Sequence, residues 1–508
     1  MPTKSNSGAG FPVEEASIAQ AQAALRNGDA TARSITEAYL ARIAAYDQSG
    51  PTLNAVVTTN PQALERADEL DASMRDTGGF VGPLHGMPIL VKDNVETTAM
   101  PTTQGTIGMA GYQPHEDATV IQHLESAGAI ILGKTTLPDF ATSWWAYSSL
   151  SGETRNPYAL DRDPGGSSSG SGAAAAASFA MAAIGTDCGG SIRVPSSFDN
   201  LVGVRSTPGM ISRKGSGPLV FFQDTIGPMA RTVTDAAIVF DALVGYDAGD
   251  TLTAHYLTAR APETYTDALD PDGLRGARIG LVRNALGADD DPFAAPVNAL
   301  VREAVAAMAA AGAHVVELEI PDLLPYVLAT SMYVNCSKYE INEFLRARPE
   351  AGIRSLQQMF EQRKYHPMLD LLEACVRGPE MPEYDPQYYR RLAAREEFAR
   401  VVVNCMGGDA LDALVFPSVQ VVPPSREQLK DRVWTTLTFP TNTLIASQTW
   451  MPAITVPAGF SADGLPVGLE FLGKPYAEPT LFKLAYAFEQ ATGHRRAPGA
   501  TPPLQQRG

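Results

Sequence analysis

The chain has 508 residues, of which 44% are hydrophobic and 19% are charged, as is typical of a folded, water-soluble protein. Its formal net charge of -17 at pH 7 disfavours binding to nucleic acids and to anionic membrane surfaces, because both would repel it. The four cysteines have neither CxxC spacing nor a companion histidine pair, so we predict reduced thiols and no metal site. The first residues lack an apolar signal segment, so we expect a cytoplasmic protein. We also expect that it needs no cofactor.

The order of the predicted elements indicates an α/β fold. Residues 14–48 have helical spacing, and beyond Gly78 short apolar runs alternate with helical stretches. The apolar runs predict strands at 88–93, 129–135, 277–283, 314–320, 413–418 and 452–459. Helices are predicted between several of them, at 117–128 and 296–312. Strands that alternate with helices are typical of a sheet covered by helices on both faces.

The alternation is lost from about residue 323 to residue 400, where the sequence is helical and rich in tyrosine. Its aromatic residues either fill a small core of their own or form a cap over an active site, and both interpretations stay open. We divide the chain into an N-terminal helical segment (1–75), a core (76–322), this insertion (323–405) and a C-terminal part (406–508) that completes the core sheet.

Two motifs compete as indicators of function. GAIILGKT at 128–135 matches the phosphate-binding pattern GxxxxGK[ST], but its middle residues are typical of a buried strand and a helix precedes them. GSSSG at 166–170 matches the nucleophile elbow GxSxG centred on Ser168, but a polar loop stands where that elbow needs a strand. We therefore interpret the first as a strand and regard the second as a weak alternative.

In a third interpretation, two glycine-serine clusters form one catalytic site: GGSSSGSG at 165–172 and GTDCGGS at 185–191. A serine nucleophile needs a base within hydrogen-bonding reach, and a buried neutral lysine can supply it. Lys92, in GMPILVKDN, ends an apolar strand. Burial can lower the pKa of a lysine by roughly 3 units. From the residues alone, Lys92 is better explained as a surface group at the end of a strand.

The segment 165–208 resembles the signature of the amidase signature family, with both glycine-serine clusters at that family's spacing. GMPILVKDN is similar to the family's catalytic-lysine strand, and PAGFSADGLPVGLEFLG at 457–473 also matches. The resemblance implies a single large domain with a central mixed β-sheet covered by helices on both faces, plus a helical insertion. It also implies hydrolysis of carbon-nitrogen bonds in amides or carbamates (urethanes) through an acyl-enzyme.

Carried over to this sequence, the resemblance assigns Ser191 as nucleophile, Ser167 as relay serine and Lys92 as base. The family's relay serine follows a cis peptide bond, here between Gly166 and Ser167. The amides of Cys188, Gly189, Gly190 and Ser191 are implied as the oxyanion hole, where glycines let the backbone approach the substrate. Cys188 departs from the family pattern, and we interpret it as a buried apolar residue rather than a thiol nucleophile.

The substrate is predicted from aromatic residues near these motifs. Trp144 and Trp145 follow a segment that lies near the substrate channel in this family, and Phe221 and Phe222 follow the nucleophile segment. With the tyrosine-rich insertion they favour aryl or apolar amides and carbamates, cleaved by a monomer or homodimer. The family also contains the glutamine-hydrolysing subunit of a tRNA-dependent amidotransferase complex, which is the alternative. A binding protein of this fold is disfavoured because Lys92, Ser167 and Ser191 are all present.

Overall fold

The computed structural model describes residues 11–259 and 261–504. The strands of this part of the chain are β1 Val56–Thr59, β2 Pro88–Lys92, β3 Ile130–Thr135, β4 Tyr147–Ser148, β5 Gly152–Glu153, β6 Ala182–Asp187, β7 Val202–Arg205, β8 Thr225–Ala230, β9 Arg278–Val282, β10 His314–Leu318, β11 Ala413–Pro417, β12 Ala453–Phe460 and β13 Pro466–Leu472. The α-helices are α1 Ile18–Asn27, α2 Ala32–Tyr46, α3 Ala63–Thr77, α4 Thr119–Ser126, α5 Ser169–Ala176, α6 Arg193–Phe198, α7 Val233–Leu243, α8 Ala254–Thr258, α9 Ala295–Ala310, α10 Leu323–Ala329, α11 Tyr333–Arg346, α12 Leu356–Glu361, α13 Asp370–Val376, α14 Tyr388–Gly408, α15 Arg426–Lys430, α16 Leu444–Gln448 and α17 Glu478–Thr492. None of the helices in these two ranges is long and apolar enough to cross a membrane.

One 11-stranded sheet organises the molecule, in the order β1-β3-β2-β6-β8-β7-β12-β13-β11-β9-β10. It is mixed: β2 runs parallel to β3 and β6, whereas β8 runs antiparallel to both β6 and β7. Helices flank this sheet, so the predicted α/β fold with a central mixed sheet is confirmed. The chain segment 1–75 also contributes a strand, β1, which the sequence analysis did not predict.

The strands next to the site are buried at every position. All residues of β2, β3 and β6 are shielded from solvent, because both faces of this part of the sheet are covered. The GAIILGKT segment forms the buried strand β3, as the strand interpretation predicts. Its Lys134 donates to Oδ1 of Asp93 at 3.1 Å, so this lysine is held by a buried ion pair rather than presented to a phosphate.

The alanine run between the two glycine-serine clusters is the helix α5, and every residue of it is buried. Its small side chains allow close packing on the sheet. A Cβ atom at Gly170 would lie 2.2 Å from the carbonyl oxygen of Ala55 and 2.4 Å from the amide of Thr136. Glycine is required there because the backbone itself occupies the space of a side chain. The helix can therefore begin close to the carboxyl end of β3.

Helices α10 to α14 form the segment that the sequence analysis separated as an insertion. Apolar residues of α11 to α13 share one buried cluster with Trp144, Phe198 and Val419 of the core, whereas those of α10 and most of α14 share another with strands β9 and β11. The aromatic residues of this segment thus pack against the core and not only against each other. Strands β11, β12 and β13 lie in the C-terminal part, and all three belong to the central sheet.

Candidate active site

The three residues predicted as nucleophile, relay and base come together at one edge of the sheet. Lys92 is the last residue of β2, and the neighbouring parallel strand β6 ends at Asp187. Ser191 follows in the turn between β6 and α6, and Ser167 lies just before α5. Carboxyl ends of parallel strands meet at the same edge, so side chains distant in sequence converge there.

Lys92 is fully buried and hydrogen-bonded to two hydroxyl groups. Its Nζ lies 2.8 Å from Oγ of Ser167 and 2.9 Å from Oγ1 of Thr186. Asn94 donates to Oγ1 of Thr186 at 3.0 Å, which leaves the threonine hydroxyl hydrogen free to point at the lysine nitrogen. Burial lowers the pKa of Lys92 to about 7, although the negative charges of Asp187 and Asp224 oppose this shift. A neutral amine is therefore accessible near neutral pH.

Ser167 and Ser191 are linked through the backbone. The peptide bond between Gly166 and Ser167 is cis, as the family resemblance implies. The amide of Ser168 donates to the carbonyl oxygen of Ser191 at 3.0 Å. Within the described residues the two serine hydroxyls share no hydrogen bond, so proton transfer between them needs a closer approach when substrate binds.

In the loop from Cys188 to Ser191, three of the four backbone amides are free to donate a hydrogen bond to a substrate. The amide of Gly190 donates to Oδ1 of Asp187 at 2.9 Å and is engaged. The amides of Cys188, Gly189 and Ser191 have no hydrogen-bond acceptor among residues 11–259 and 261–504. Backbone donors that converge beside a nucleophile are the arrangement that stabilises an oxyanion. Of the four amides predicted to form the oxyanion hole, that of Gly190 is thus already hydrogen-bonded within the protein.

Asp187 anchors this loop through a buried network of charges. Its carboxylate accepts from the amides of Gly190 and Ile192 and forms ion pairs with Arg193 and Arg205. Burial alone would raise the pKa of Asp187, but the two guanidinium groups hold it below its ordinary value. Arg193 also pairs with Glu470 of β13. The loop is therefore fixed from the core side by a carboxylate that stays charged.

Two positions of the loop require glycine for a steric reason that the sequence did not reveal. A Cβ at Gly189 would lie 2.1 Å from the hydroxyl oxygen of Tyr333, and one at Gly190 would lie 2.0 Å from Oγ1 of Thr443. Gly190 also has a φ of +130°, which favours glycine. The glycines therefore make room for protein groups that hold the loop, in addition to any substrate.

An apolar cavity of about 90 Å³ opens on one side of Ser191. None of the described residues that line it carries a charge. They are Ala141, Ser143, Trp144, Gly189, Ser191, Leu219, Val327, Leu328, Ser331, Tyr333, Leu371, Thr436, Leu437, Leu444 and Gln448. Several of them, including Val327 of α10, Tyr333 of α11 and Leu371 of α13, belong to the insertion, which therefore forms part of the wall.

A smaller, more polar recess of about 10 Å³ lies on the other side of Ser191. Its lining includes Ser167 and Thr186, the two hydroxyl groups bonded to Lys92, together with Asn94, Arg213 and Asp224. Ser191, Ala141 and Leu219 line both spaces. The predicted nucleophile therefore stands between an apolar cavity and a polar recess.

Of the four aromatic residues predicted for the substrate pocket, the structure brings Trp144 to the cavity. Trp145 is turned into the core, with its ring centroid 4.4 Å from that of Phe439. Phe221 is 42% exposed and covers the guanidinium of Arg213, whereas Phe222 packs against Trp450 and Arg395. These three rings already have partners elsewhere, and none of them lines the cavity.

The thiol of Cys188 has no features of a nucleophile. It is 5% exposed, and burial raises the pKa of this thiol well above its ordinary value, with Asp224 adding to the effect. A thiol attacks as the thiolate, which is disfavoured here. This agrees with the interpretation of Cys188 as a buried apolar residue.

The geometry agrees with the comparisons to known proteins. The family model described as Amidase matches residues 34–482. The chain belongs to the amidase family. It is 34% identical to a glutamyl-tRNA(Gln) amidotransferase subunit from Symbiobacterium thermophilum, over 95% of this chain and 97% of that protein. Enzymes of this family act on carbon-nitrogen amide bonds.

Solved structures of the family are similar over nearly the whole chain. The peptide amidase of Stenotrophomonas maltophilia has 36% sequence identity and a TM-score of 0.84, over 97% of this chain and 100% of that one. A bacterial aryl acylamidase has 26% identity and a TM-score of 0.81, over 96% and 99% of the two chains. The amidase signature fold is thus shared along the full length.

Several residues of this amidase site were missed by the sequence analysis. Thr186 and Asp187 stand directly before the predicted oxyanion loop, so their position in GTDCGGS was a usable signal. Tyr333, Thr443 and Gln448 come from distant parts of the chain and carry no local motif. Only the fold brings them to the loop and the cavity.

Proposed function

We propose that this amidase hydrolyses amides and carbamates of apolar substituents, with Ser191 as nucleophile, Ser167 as proton relay and Lys92 as general base. The observation that carries the proposal is the buried Lys92, without an ion pair among the described residues, bonded to Ser167 beside Ser191. A lysine in this setting can accept a proton near neutral pH, whereas an exposed lysine cannot.

The proposed reaction has two halves. In the first, Lys92 takes the proton of Ser167 as Ser167 takes that of Ser191, and the Ser191 oxygen bonds to the substrate carbonyl carbon. Free amides of the loop hold the oxyanion. The carbon-nitrogen bond then breaks, and the leaving nitrogen receives a proton from Ser167. In the second half, water attacks the acyl-enzyme with the same relay acting in reverse. A carbamate would give a carbonate half-ester, which loses carbon dioxide.

The two spaces beside Ser191 suggest how a substrate is oriented. The leaving amine must lie on the side of Ser167, because Ser167 returns the proton to it. That side is the polar recess. The group attached to the carbonyl carbon then occupies the apolar cavity, against Trp144 and the leucines of its wall. A large apolar acyl group and a smaller amine therefore fit best.

Hydrolysis of free glutamine is the second candidate, favoured by the similarity to glutamyl-tRNA(Gln) amidotransferase subunits. Free glutamine carries an ammonium group and a carboxylate, and both need charged or strongly polar partners when buried. The described lining of the apolar cavity has no charged residue. This observation favours apolar acyl groups over glutamine.

The test compares initial rates on a 4-nitroanilide, the primary amide of the same acid and the matching carbamate of 4-nitroaniline. Each substrate is given to the parent protein and to Ser191→Ala, with ammonia release from glutamine measured in parallel. We expect cleavage of the apolar amides, loss of activity in Ser191→Ala and negligible ammonia from glutamine. Glutamine as the fastest substrate, or full activity of Ser191→Ala, would overturn the proposal.

A further inference from the structure

A buried arginine reaches the nucleophile loop through one glutamine. Arg395 of α14 is 3% exposed, and its Nη1 donates to Oε1 of Gln223 at 2.6 Å. Nε2 of Gln223 in turn donates to the carbonyl oxygen of Cys188 at 2.5 Å and to the hydroxyl of Tyr333 at 3.0 Å. A guanidinium can only donate, so the glutamine must turn its oxygen to Arg395 and its NH₂ to Cys188.

Arg395 has no carboxylate partner among the described residues, although burying an unpaired charge is costly. Its guanidinium lies against two aromatic rings that pack on each other, 4.9 Å from the centroid of Phe222 and 5.6 Å from that of Trp450. Burial lowers the pKa of Arg395 to about 10, so the group is still protonated at neutral pH. The positive charge is therefore not neutralised; it acts on Gln223 and on the carbonyl oxygen of Ser447, to which Nη2 donates at 3.3 Å.

The carbonyl of Cys188 and the amide of Gly189 belong to the same planar trans peptide unit. A carbonyl fixed on Gln223 therefore fixes the direction of the N–H on the opposite side. The Gly189 amide has no acceptor in the described structure, and Gly189 lines the cavity beside Ser191. Hydrogen bonds aligned in a chain polarise one another, so a charged donor at one end strengthens the donor at the other.

We propose that Arg395 and Gln223 are positioning residues that orient the Cys188–Gly189 peptide and strengthen the Gly189 amide as an oxyanion donor. The inference rests on the proposed function and deepens it, because it gives one insertion helix a role in the chemical step. Phe222 contributes to this arrangement, because its ring covers the guanidinium of Arg395.

The first experiment compares Gln223→Met and Arg395→Met with the parent on one 4-nitroanilide, and Arg400→Met serves as the matched control. Arg400 is on the same helix but exposed, and its ion-pair partner among the described residues is Glu396. We expect kcat to fall by about 10-fold to 100-fold in the two variants with KM nearly unchanged, because the interaction is made in the transition state. Affinity for a trifluoromethyl ketone analogue, which forms a tetrahedral adduct, should fall in proportion, whereas affinity for the product acid should not.

The second experiment is chemical rescue. Arg395 lines a surface pocket with Glu396, Ala399 and Trp450, through which a small cation can enter. Guanidinium added to Arg395→Ala should restore part of kcat, and it should leave Arg400→Ala unchanged. Equal losses in ketone and product-acid affinity, or lowered thermal stability with an unchanged kcat, would overturn the inference. Failure of the proposed function is distinguishable, since Ser191→Ala would then retain activity.

Discussion

Lys92 and Lys134 are buried on neighbouring parallel strands, yet only Lys134 has a carboxylate partner among the residues that the structure describes. That partner is Asp93, the residue directly after Lys92. Of the other nearby carboxylates, Asp187 is taken by two arginines, and Asp224 accepts from the amides of Leu219 and Val220. Because these carboxylates are engaged, Lys92 is left with uncharged partners, and desolvation favours its neutral form.

The pH dependence of activity should follow Lys92. The base must be neutral, and the pKa of Lys92 is about 7, so kcat/KM should rise with pH and level off above neutrality. Lys92→Met should lower kcat/KM by about 10²-fold to 10⁴-fold and remove this rise. Initial rates across the pH range measure both, with Lys483→Met, an exposed lysine, as control. A kcat/KM that falls through this range would contradict the assignment.

Lys92 should also affect the free energy of unfolding. Its pKa is about 7 in the folded protein against an ordinary value of 10.5, so between these values the unfolded chain binds more protons. The free energy of unfolding should therefore rise with pH between these two values. Below the lower value Lys92 is protonated in both states, so this stabilisation is absent there. Lys92→Met should lack it, a difference of about 5 kcal/mol at most across the window. Denaturant unfolding at paired pH values measures the difference, and identical pH slopes would refute it.

Substitution of Trp144 should change acyl selectivity. Trp144 lines the apolar cavity, so Trp144→Ala removes contact area that only a large acyl group uses. We expect kcat/KM for a phenylacetyl anilide to fall by about 10-fold or more, and that for the acetyl anilide to change little. The control is Tyr389→Ala, which removes an exposed ring that does not line the cavity. Equal losses on both substrates would place the acyl group elsewhere.

The contact between Gly189 and Tyr333 can be tested by a double-mutant cycle. Gly189→Ala should inactivate and destabilise the protein, since its Cβ would lie 2.1 Å from the Tyr333 hydroxyl. Tyr333→Phe removes that oxygen, so the double variant should regain part of the lost stability, giving a coupling of about 0.5–3 kcal/mol. Thermal unfolding of the four proteins measures it. Additive losses would mean that the hydroxyl is not the obstacle.

Cys188→Ala should keep kcat/KM within a few-fold of the parent. The buried thiol is held protonated, and it is the backbone of this residue, not its side chain, that belongs to the loop. Thiol-alkylating reagents should likewise leave the active protein unaffected. Inactivation by such a reagent with protection by substrate would contradict this prediction.

Six strands of the central sheet, and the approach of Lys92 to Ser167, were predictable because their signals are local. Each predicted apolar run became a strand, and GGSSSGSG and GTDCGGS carry their residues at fixed spacing. Contacts between residues that are far apart in the sequence left no such signal. Phe222 faces Arg395, 173 residues away by their numbers, and only the packing of α14 decides this. The other five strands of this sheet, β1, β6, β7, β8 and β13, were missed; β1 and β7 have only four residues each, and neighbouring strands stabilise them.

The supports of the nucleophile loop are supplied late in the chain. Thr443 donates to the carbonyl of Gly189, and Glu470 pairs with Arg193, although both lie more than 200 residues beyond the loop. During synthesis, Lys92, Ser167 and Ser191 all emerge long before these groups do. A nascent or truncated chain that ends before Thr443 therefore has these three side chains without two supports of the loop, and we expect such a chain to be inactive.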